Sequence, residues 1–313
     1  MSTQNRTSTE DEYDILSQHY GGRSRLRQTL AAQREIFRGE RLGQIGLLLL
    51  AIFLFVGLFA PLLAPYDAQE KLRTDDGEIK RMEAPSTEHL LGTTRLGRDV
   101  LSQVLIGTRI ALIVGSLGAF MSVFIGTNMG LISGYFGGWT DDILMRLTDI
   151  IYGVPFLPFV IVLVVILGPS LLNVILAIAL VQWRSTARVI RSQVLTIKER
   201  PYIEAARAAG GSDVRVLYTH ILPNVLPLVF LYGAFSVGWA VIAEASVSFL
   251  GFGDPLSVSW GKMLFTAYTA NAIRTAWWWV IPPGLSINLL VISVFLIGRT
   301  YEKVSNPELR ERE

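Results

Sequence analysis

An all-α membrane protein with several spans is the fold class this sequence predicts, and three observations carry the prediction. Of 313 residues, 51% are hydrophobic and only 17% charged, with a mean hydropathy of +0.43, too apolar a balance for a soluble domain. Uncharged runs long enough to cross a hydrocarbon core of roughly 30 Å recur along the chain. Polar segments separate them, and their Lys and Arg divide unequally between the two sides. The chain has no cysteine, which excludes a disulfide framework, a thiolate nucleophile and a sulfur metal site, and leaves the redox compartment open.

The division expected is a tail and interfacial helix at 1–41, a six-span domain at 42–300 and a second tail at 301–313. Residues 1–22 are polar and read as a disordered tail. From 24 to 41, Arg25, Arg27, Arg34, Arg38 and Arg41 interleave with Leu26, Leu30, Ile36 and Phe37, which suits a basic helix on the inner headgroup surface, with a solvated helical tail as the alternative. The run at 45–64 is long enough to span rather than be cleaved, and 110–132 is a second span. The uncharged stretch 150–183 would be about 51 Å long as one helix. Gly168-Pro169-Ser170 divides it into spans at 150–167 and 171–190, the latter needing Arg184 and Arg188 to snorkel to the headgroups. A fifth span covers 225–250 and a sixth 276–297. With both termini cytoplasmic, 19 of the 28 basic residues lie inside, and Asp75 and Lys262 face outward. The long 65–108 loop, with six basic residues among eight acids, is a weaker counter-signal. Trp277-Trp278-Trp279 then falls at the outer interface.

Gly126, Gly130 and Gly134 recur every fourth residue, so one helix face lets another backbone approach closely; pairing with a second pore subunit is the consequence expected. Pro155, Pro158 and the Pro282-Pro283 pair remove backbone donors and are expected to kink or unwind their helices. Glu244, alone among the acids in lying within a span, is a candidate for a pore or outer-gate role together with Pro282; the competing reading is a carboxylate bonded locally to backbone or water. His19, His89 and His220 lie outside the spans without metal-ligand spacing, and no Gly-x-x-x-x-Gly-Lys-Ser/Thr loop is present. Paired intramembrane acids, as a proton-driven carrier or an intramembrane enzyme would need, are also missing. Energy for transport would have to come from another chain.

The polar, Ala-rich stretch 200–223 stands between two apolar runs. Pro201 suits the first position of a helix, Tyr202 to Ala209 are good helix formers, and Gly210-Gly211 supply a left-handed stop. Ser212 or Asp213 caps a second turn, and Pro223 marks entry to the fifth span. The small side chains of Ala205, Ala206, Ala208 and Ala209 let this helix seat in a groove of a soluble partner, with Glu204 offering a carboxylate; a plain polar loop is the alternative.

This hairpin, with Glu204-Ala205-Ala206, Gly210 and Leu222-Pro223, resembles the signature of the permeases of binding-protein-dependent ABC importers. His220, in His-Ile-Leu-Pro, is similar to the dipeptide and oligopeptide branch. So are the runs His89-Leu90-Leu91-Gly92-Thr93, Leu96-Gly97-Arg98-Asp99-Val100-Leu101-Ser102, Gly134-Tyr135-Phe136-Gly137-Gly138-Trp139 and Glu244-Ala245-Ser246-Val247-Ser248-Phe249-Leu250-Gly251-Phe252-Gly253. Leu62-Leu63-Ala64-Pro65-Tyr66 resembles the C-type subunit, while Thr94 and Gln103 depart from the usual Asp and Arg. The resemblance implies a six-span permease of the type I importer architecture in a prokaryotic inner membrane. It implies that Glu204, Ala205, Ala206, Gly210, Gly211, His220, Leu222 and Pro223 dock an ATPase. The implied partners are a second homologous permease, two ATPases holding ATP and Mg, an extracytoplasmic binding protein and lipid, with no nucleic acid and no cofactor on this chain. Peptide is the cargo the branch suggests; nickel chelates and oligosaccharides, or a secondary transporter, are the alternatives.

Overall fold

A computed structural model of the chain describes residues 40–305. The polar tail and the expected interfacial helix as far as residue 39 lie outside them, as do residues 306–313. Arg41 is the first residue of the first helix, α1 (Arg41–Leu63), rather than part of an interfacial one. Among the described residues the architecture is helical, with two isolated β-bridges in the loop before the second helix.

That second helix, α2 (Val100–Phe136), has 37 residues and is about 55 Å long, ten residues longer at its start than the 110–132 expected. The early start has a local cause. Asp99 is the N-cap, its carboxylate accepting from the Ser102 amide at 2.7 Å and the Ser102 hydroxyl at 2.8 Å, so polar residues that read as loop become the first turns. The helix stops at Gly137, whose φ is +65°.

The single span expected at 150–167 is instead two helices, α3 (Gly138–Gly153) and α4 (Phe156–Leu167), bent by 94°. Pro155 is the reason: it disfavours helix at Val154, which is extended (φ −95°, ψ 131°), and it has no N–H to return to the Ile151 carbonyl. That carbonyl keeps a long bond from the Val154 N–H at 3.4 Å, and Arg184 adds a second donor, its Nη1 lying 2.5 Å away with the guanidinium 4.7 Å from the centre of the Tyr152 ring. Pro158, by contrast, sits in the first turn of α4, where no intrahelical donor is required, and breaks nothing.

The next helix, α5 (Leu171–Ile197), begins at Ser170, which caps Asn173, and continues seven residues past the span expected at 171–190. Its arginines bind α3 rather than reaching for headgroups: besides Arg184, Arg188 pairs with Asp149, and Arg191 pairs with Asp141 through two nitrogens. After α6 (Pro201–Ala208), one helix, α7, runs from Asp213 to Phe249. The fifth span therefore starts twelve residues before the position expected. A π-helical segment, Val216–Ile221, lets the helix pass through Pro223: the Leu222 N–H reaches back to the Leu217 carbonyl, and the widened turn absorbs a residue without a donor. A short helix not foreseen, α8 (Trp260–Thr269), precedes α9 (Trp277–Ser305), which stays helical through Pro282 and Pro283 and continues past the end expected at 297. No unwinding occurs at that proline pair.

By length and apolarity, four of the described helices (α1, α2, α7 and α9) suit a membrane span, and five when the bent α3–α4 pair counts as one. The helix α5, with three arginines on one face, does not reach that apolarity, so these criteria fall short of the six expected.

The central seam lies between α2 and α5. A Cβ on Gly126 would stand 2.5 Å from the Trp183 carbonyl oxygen, on Gly130 2.6 Å from that of Ala187, and on Gly134 2.8 Å from the Val194 Cβ. The glycine face expected to serve pairing with a second subunit is occupied by this chain's own helix. Buried Val114, Val160, Ile175, Ile178 and Val247 fill the middle of the bundle. At the start of α2, Trp260, Trp279, Val100 and Leu290 form a second apolar cluster. Trp279 is thus buried, and Trp278 donates to the Thr93 carbonyl at 3.3 Å, leaving Trp277 as the exposed indole of the three placed at an interface.

Candidate docking hairpin and its anchorage

Residues 200–212 lie beside the end of α2, about 55 Å of helix away from its start. Pro201 occupies the first turn of α6 behind an extended Arg200. One side chain pins this short helix: Ile203 is fully buried against Leu131 and Tyr135 of α2, Ile190, Val194 and Ile197 of α5, and Val216 and Leu217 of α7. Tyr202, Glu204, Ala205, Ala208 and Ala209 are exposed, whereas Ala206 is half-buried against the molecule itself. Three of the four alanines therefore remain for an outside partner.

The stop has two hydrogen bonds. The Gly211 N–H donates to the Ala206 carbonyl at 3.1 Å and the Gly210 N–H to that of Arg207 at 2.9 Å, the paired bonds of a Schellman turn. The two glycines are needed for different reasons. Gly210 has φ +82° and open space around a Cβ, so its requirement is conformational. Gly211 is not left-handed, but a Cβ there would stand 2.8 Å from the Ala206 oxygen, so its requirement is close approach. A left-handed stop from both glycines, as expected from sequence, is corrected to one.

Ser212 caps the return, its Oγ 3.4 Å from the Arg215 N–H. Asp213 turns inward and accepts from the Tyr135 hydroxyl at 2.7 Å, while the Arg207 guanidinium lies 4.8 Å from the centre of the Tyr135 ring. Tyr135 thus clasps both limbs of the hairpin to α2. Ile203 could have been found as the one aliphatic side chain branched for burial among small and polar neighbours; Tyr135, 78 residues from Asp213, left no linear signal. His220, Leu222 and Pro223 stand on the π segment and following turn of α7 rather than at the tip, the first two half-buried and Pro223 exposed. The His220 carbonyl accepts from Asn224 Nδ2 at 2.6 Å.

Tyr135→Phe removes the hydroxyl that holds Asp213 and is expected to destabilise the hairpin by about 1 kcal/mol while leaving the bundle folded. Faster amide hydrogen exchange confined to 201–215 checks this; exchange unchanged there would show that Ile203 alone fixes the hairpin.

Elsewhere, Glu244 is buried, and its carboxylate accepts from the Ser248 hydroxyl at 2.6 Å with Ser259 also bonded to it. Its visible partners are local hydroxyls rather than a second acid or a base. Pro282 lies inside a continuous helix, where it has no N–H to return to the Trp278 carbonyl, and its own carbonyl accepts from the Ser286 hydroxyl at 2.8 Å. Among the described residues no group of His, Asp and Glu is placed to hold a metal.

Residues 126–310, the greater part of the chain from the central seam onward, match the model of the binding-protein-dependent transport system inner membrane component. Residues 32–85 match the N-terminal TM domain of oligopeptide transport permease C. The chain is 33% identical over 281 residues to the dipeptide transport system permease protein DppC of Alkalihalophilus pseudofirmus, covering 88% of this chain and 90% of that protein. It is 35% identical over 264 residues to the glutathione transport system permease protein GsiD of Pectobacterium atrosepticum, covering 84% and 86%. To GsiD of Escherichia coli O157:H7 it is 34% identical over 275 residues, covering 88% and 89%. With a family model over more than half its length and relatives aligned nearly end to end, this chain belongs to the family of inner membrane components of binding-protein-dependent transport systems.

Proposed function

We propose that this chain is one of two permease subunits of an ATP-driven importer and that the cargo is a short peptide. The observation that carries the reading is the hairpin: a short helix with a doubly bonded stop, pinned by Ile203 and clasped by Tyr135, whose outer face of small side chains is exposed. Such a face suits docking of an ATPase subunit. Its force would reach α2, α5 and α7 together, because Ile203 sits in the cluster where all three meet. Glu204, Ala205 and the Gly210 turn make the contact, and His220, Leu222 and Pro223 support it by fixing how α7 departs. ATP and Mg belong to two ATPase subunits, and capture of cargo to a binding protein on the opposite side, toward which Asp75 and Lys262 face. Both termini and Gly210 are then cytoplasmic, in agreement with the bias of basic residues. Peptide cargo is supported by the dipeptide and glutathione permeases to which the chain is similar over nearly its whole length.

The test is isolation of this chain with the proteins that accompany it, reconstitution in vesicles, and ATP hydrolysis measured with the binding protein loaded by di- and oligopeptides, a nickel chelate or an oligosaccharide. Stimulation by peptide is expected. Stimulation by the chelate or the sugar alone would replace the cargo, and the absence of any ATPase from the isolated complex would remove the reading.

A further inference from the structure

At the start of α2, far from the hairpin, the preceding loop folds back over the first turn of the helix, and His89 is buried where the two meet. Its Nδ1 lies 3.1 Å from Asp99 Oδ2, while Asp99 Oδ1 caps the helix by accepting from the Ser102 amide and hydroxyl. A carboxylate can only accept, so Nδ1 carries the proton and Nε2 is left as an acceptor. That Nε2 is buried and has no hydrogen-bond partner. A second proton on the ring would turn this unused acceptor into a donor.

An acceptor for that donor is already in place. Glu88 Oε1 stands 3.8 Å from Nε2, within about 1 Å of hydrogen-bond distance, and belongs to an exposed side chain that can make so small a move. On its other side Glu88 is held by Lys80, an ion pair that keeps its carboxyl below the usual range. Glu88 therefore stays ionised in mild acid and has two alternative cations to serve. The other groups around the ring leave this choice open. The Tyr66 ring lies 5.0 Å away, centre to centre, with its hydroxyl donating to the Glu88 carbonyl at 3.2 Å; Glu83 adds to the negative field at Lys80, and the charge of Arg98 acts at Lys262.

We infer that Glu88 is a proton-operated latch: with His89 neutral it pairs with Lys80, and when His89 is protonated it closes onto Nε2 and ties the 86–92 turn to the cap of α2. Imidazoles change charge between about pH 5 and 8, which sets the range over which such an exchange can work. Lys80 also carries the 71–80 lobe, its N–H donating to the Leu72 carbonyl at 3.0 Å and its carbonyl accepting from the Thr93 hydroxyl at 2.7 Å. The exchange thus frees that lobe from the turn as it tightens the turn on the helix. That the latch reads acidity outside the cell rests on the orientation proposed above.

The measurement is the ring-nitrogen NMR spectrum of the full chain in nanodiscs, followed between about pH 5 and 8. His19→Gln and His220→Gln leave His89 as the one histidine. Nε2 should pass from bare to protonated as the pH falls. Glu88→Gln is expected to lower the pH of half-protonation by roughly 0.5–1, and Lys80→Met, which frees Glu88, to raise it by a similar amount. The double variant is decisive: with Glu88 already replaced, Lys80→Met should move the midpoint little, because Lys80 acts by holding that carboxylate. Equal shifts from Lys80→Met in both backgrounds would reduce Lys80 to a distant charge and overturn the exchange. A midpoint left in place by Glu88→Gln, a change at an exposed position, would overturn it too. Orientation is read separately, in a chain without native cysteine, by an impermeant thiol reagent that should reach Asp76→Cys from outside. Labelling from inside alone would overturn outward sensing together with the importer's orientation, but not the exchange seen at the ring.

Discussion

Gly210→Val is expected to abolish coupled uptake while leaving the membrane bundle folded. The residue has φ +82°, and no heavy atom lies within 4 Å of where a Cβ would be, so sterics between elements are not involved. The penalty is in the backbone: an L-residue in the left-handed region costs roughly 1–2 kcal/mol, with β-branching at the upper end. The turn holds only two hydrogen bonds, from Gly210 and Gly211 to the Arg207 and Ala206 carbonyls, and the exposed limb beyond it adds little to oppose a rearrangement. The chain would relieve the strain by redirecting Ser212 and Asp213, and the tie to Tyr135 would go with them. A graded series separates this cause from others: Gly210→Asn should retain most uptake because Asn tolerates the left-handed region, Gly210→Ala less, and Gly210→Val least. Uptake in reconstituted vesicles, read beside hydrolysis stimulated by the binding protein, checks the order. Equal activity across the series would show that the turn does not need its conformation for transport.

Gly126→Leu should act on the opposite property of the molecule, its folding. A Cβ at 126 meets the Trp183 carbonyl oxygen at 2.5 Å and the Thr186 Cβ at 2.7 Å, both on a helix that cannot yield without moving the rest of the seam. Packed interiors take extra atoms only by strain, typically about 1–3 kcal/mol for conservative overpacking, and a branched side chain against backbone exceeds that case. We expect the chain, expressed alone, to lose most of its monodisperse yield in detergent. Gly233→Ala, on α7 where a Cβ meets nothing within 4 Å, should retain wild-type yield. A Gly126→Leu chain that folds normally but fails to recover a second permease would return this face to the pairing role read from sequence.

The difference between those two glycine sites also marks how much the linear chain discloses. Pro201, Gly210 and Ser212 act through their own backbone or their nearest neighbours, so the helix, its stop and its cap were readable. Gly126, Gly130 and Gly134 announced a close contact but not with what, because a four-residue spacing is the same whether the neighbour is α5 or another subunit. The arginines of α5 show the same limit from the other side. Their charges suggested headgroups, yet Arg184 donates to the Ile151 carbonyl, which Pro155 deprives of its ordinary helical donor and which otherwise holds only the Val154 N–H at 3.4 Å. The bend itself was half legible: Pro155 was expected to disturb its span, but the apolar run to either side concealed that the disturbance divides it. The short helix at Trp260–Thr269 was missed although its signals are local, a Ser259 cap accepting from the Lys262 N–H at 3.3 Å and buried Trp260, Met263 and Ala267 at helical spacing, because ten residues are too short to read as a span. Tyr135 belongs to another class, since a clasp between residues far apart has no local pattern.

The docking role of the hairpin is tested most directly by a single cysteine at Ala208, an exposed position of α6 in a chain without native thiols. In membranes holding the assembled complex, a short bifunctional thiol reagent should join this position to an ATPase subunit carrying a cysteine at the edge of its receiving groove. A membrane-impermeant reagent added from outside should leave it unlabelled. Cross-linking to the ATPase with protection from outside is the result this account requires; labelling from outside, or an assembled and active complex in which position 208 joins no ATPase cysteine, would contradict it.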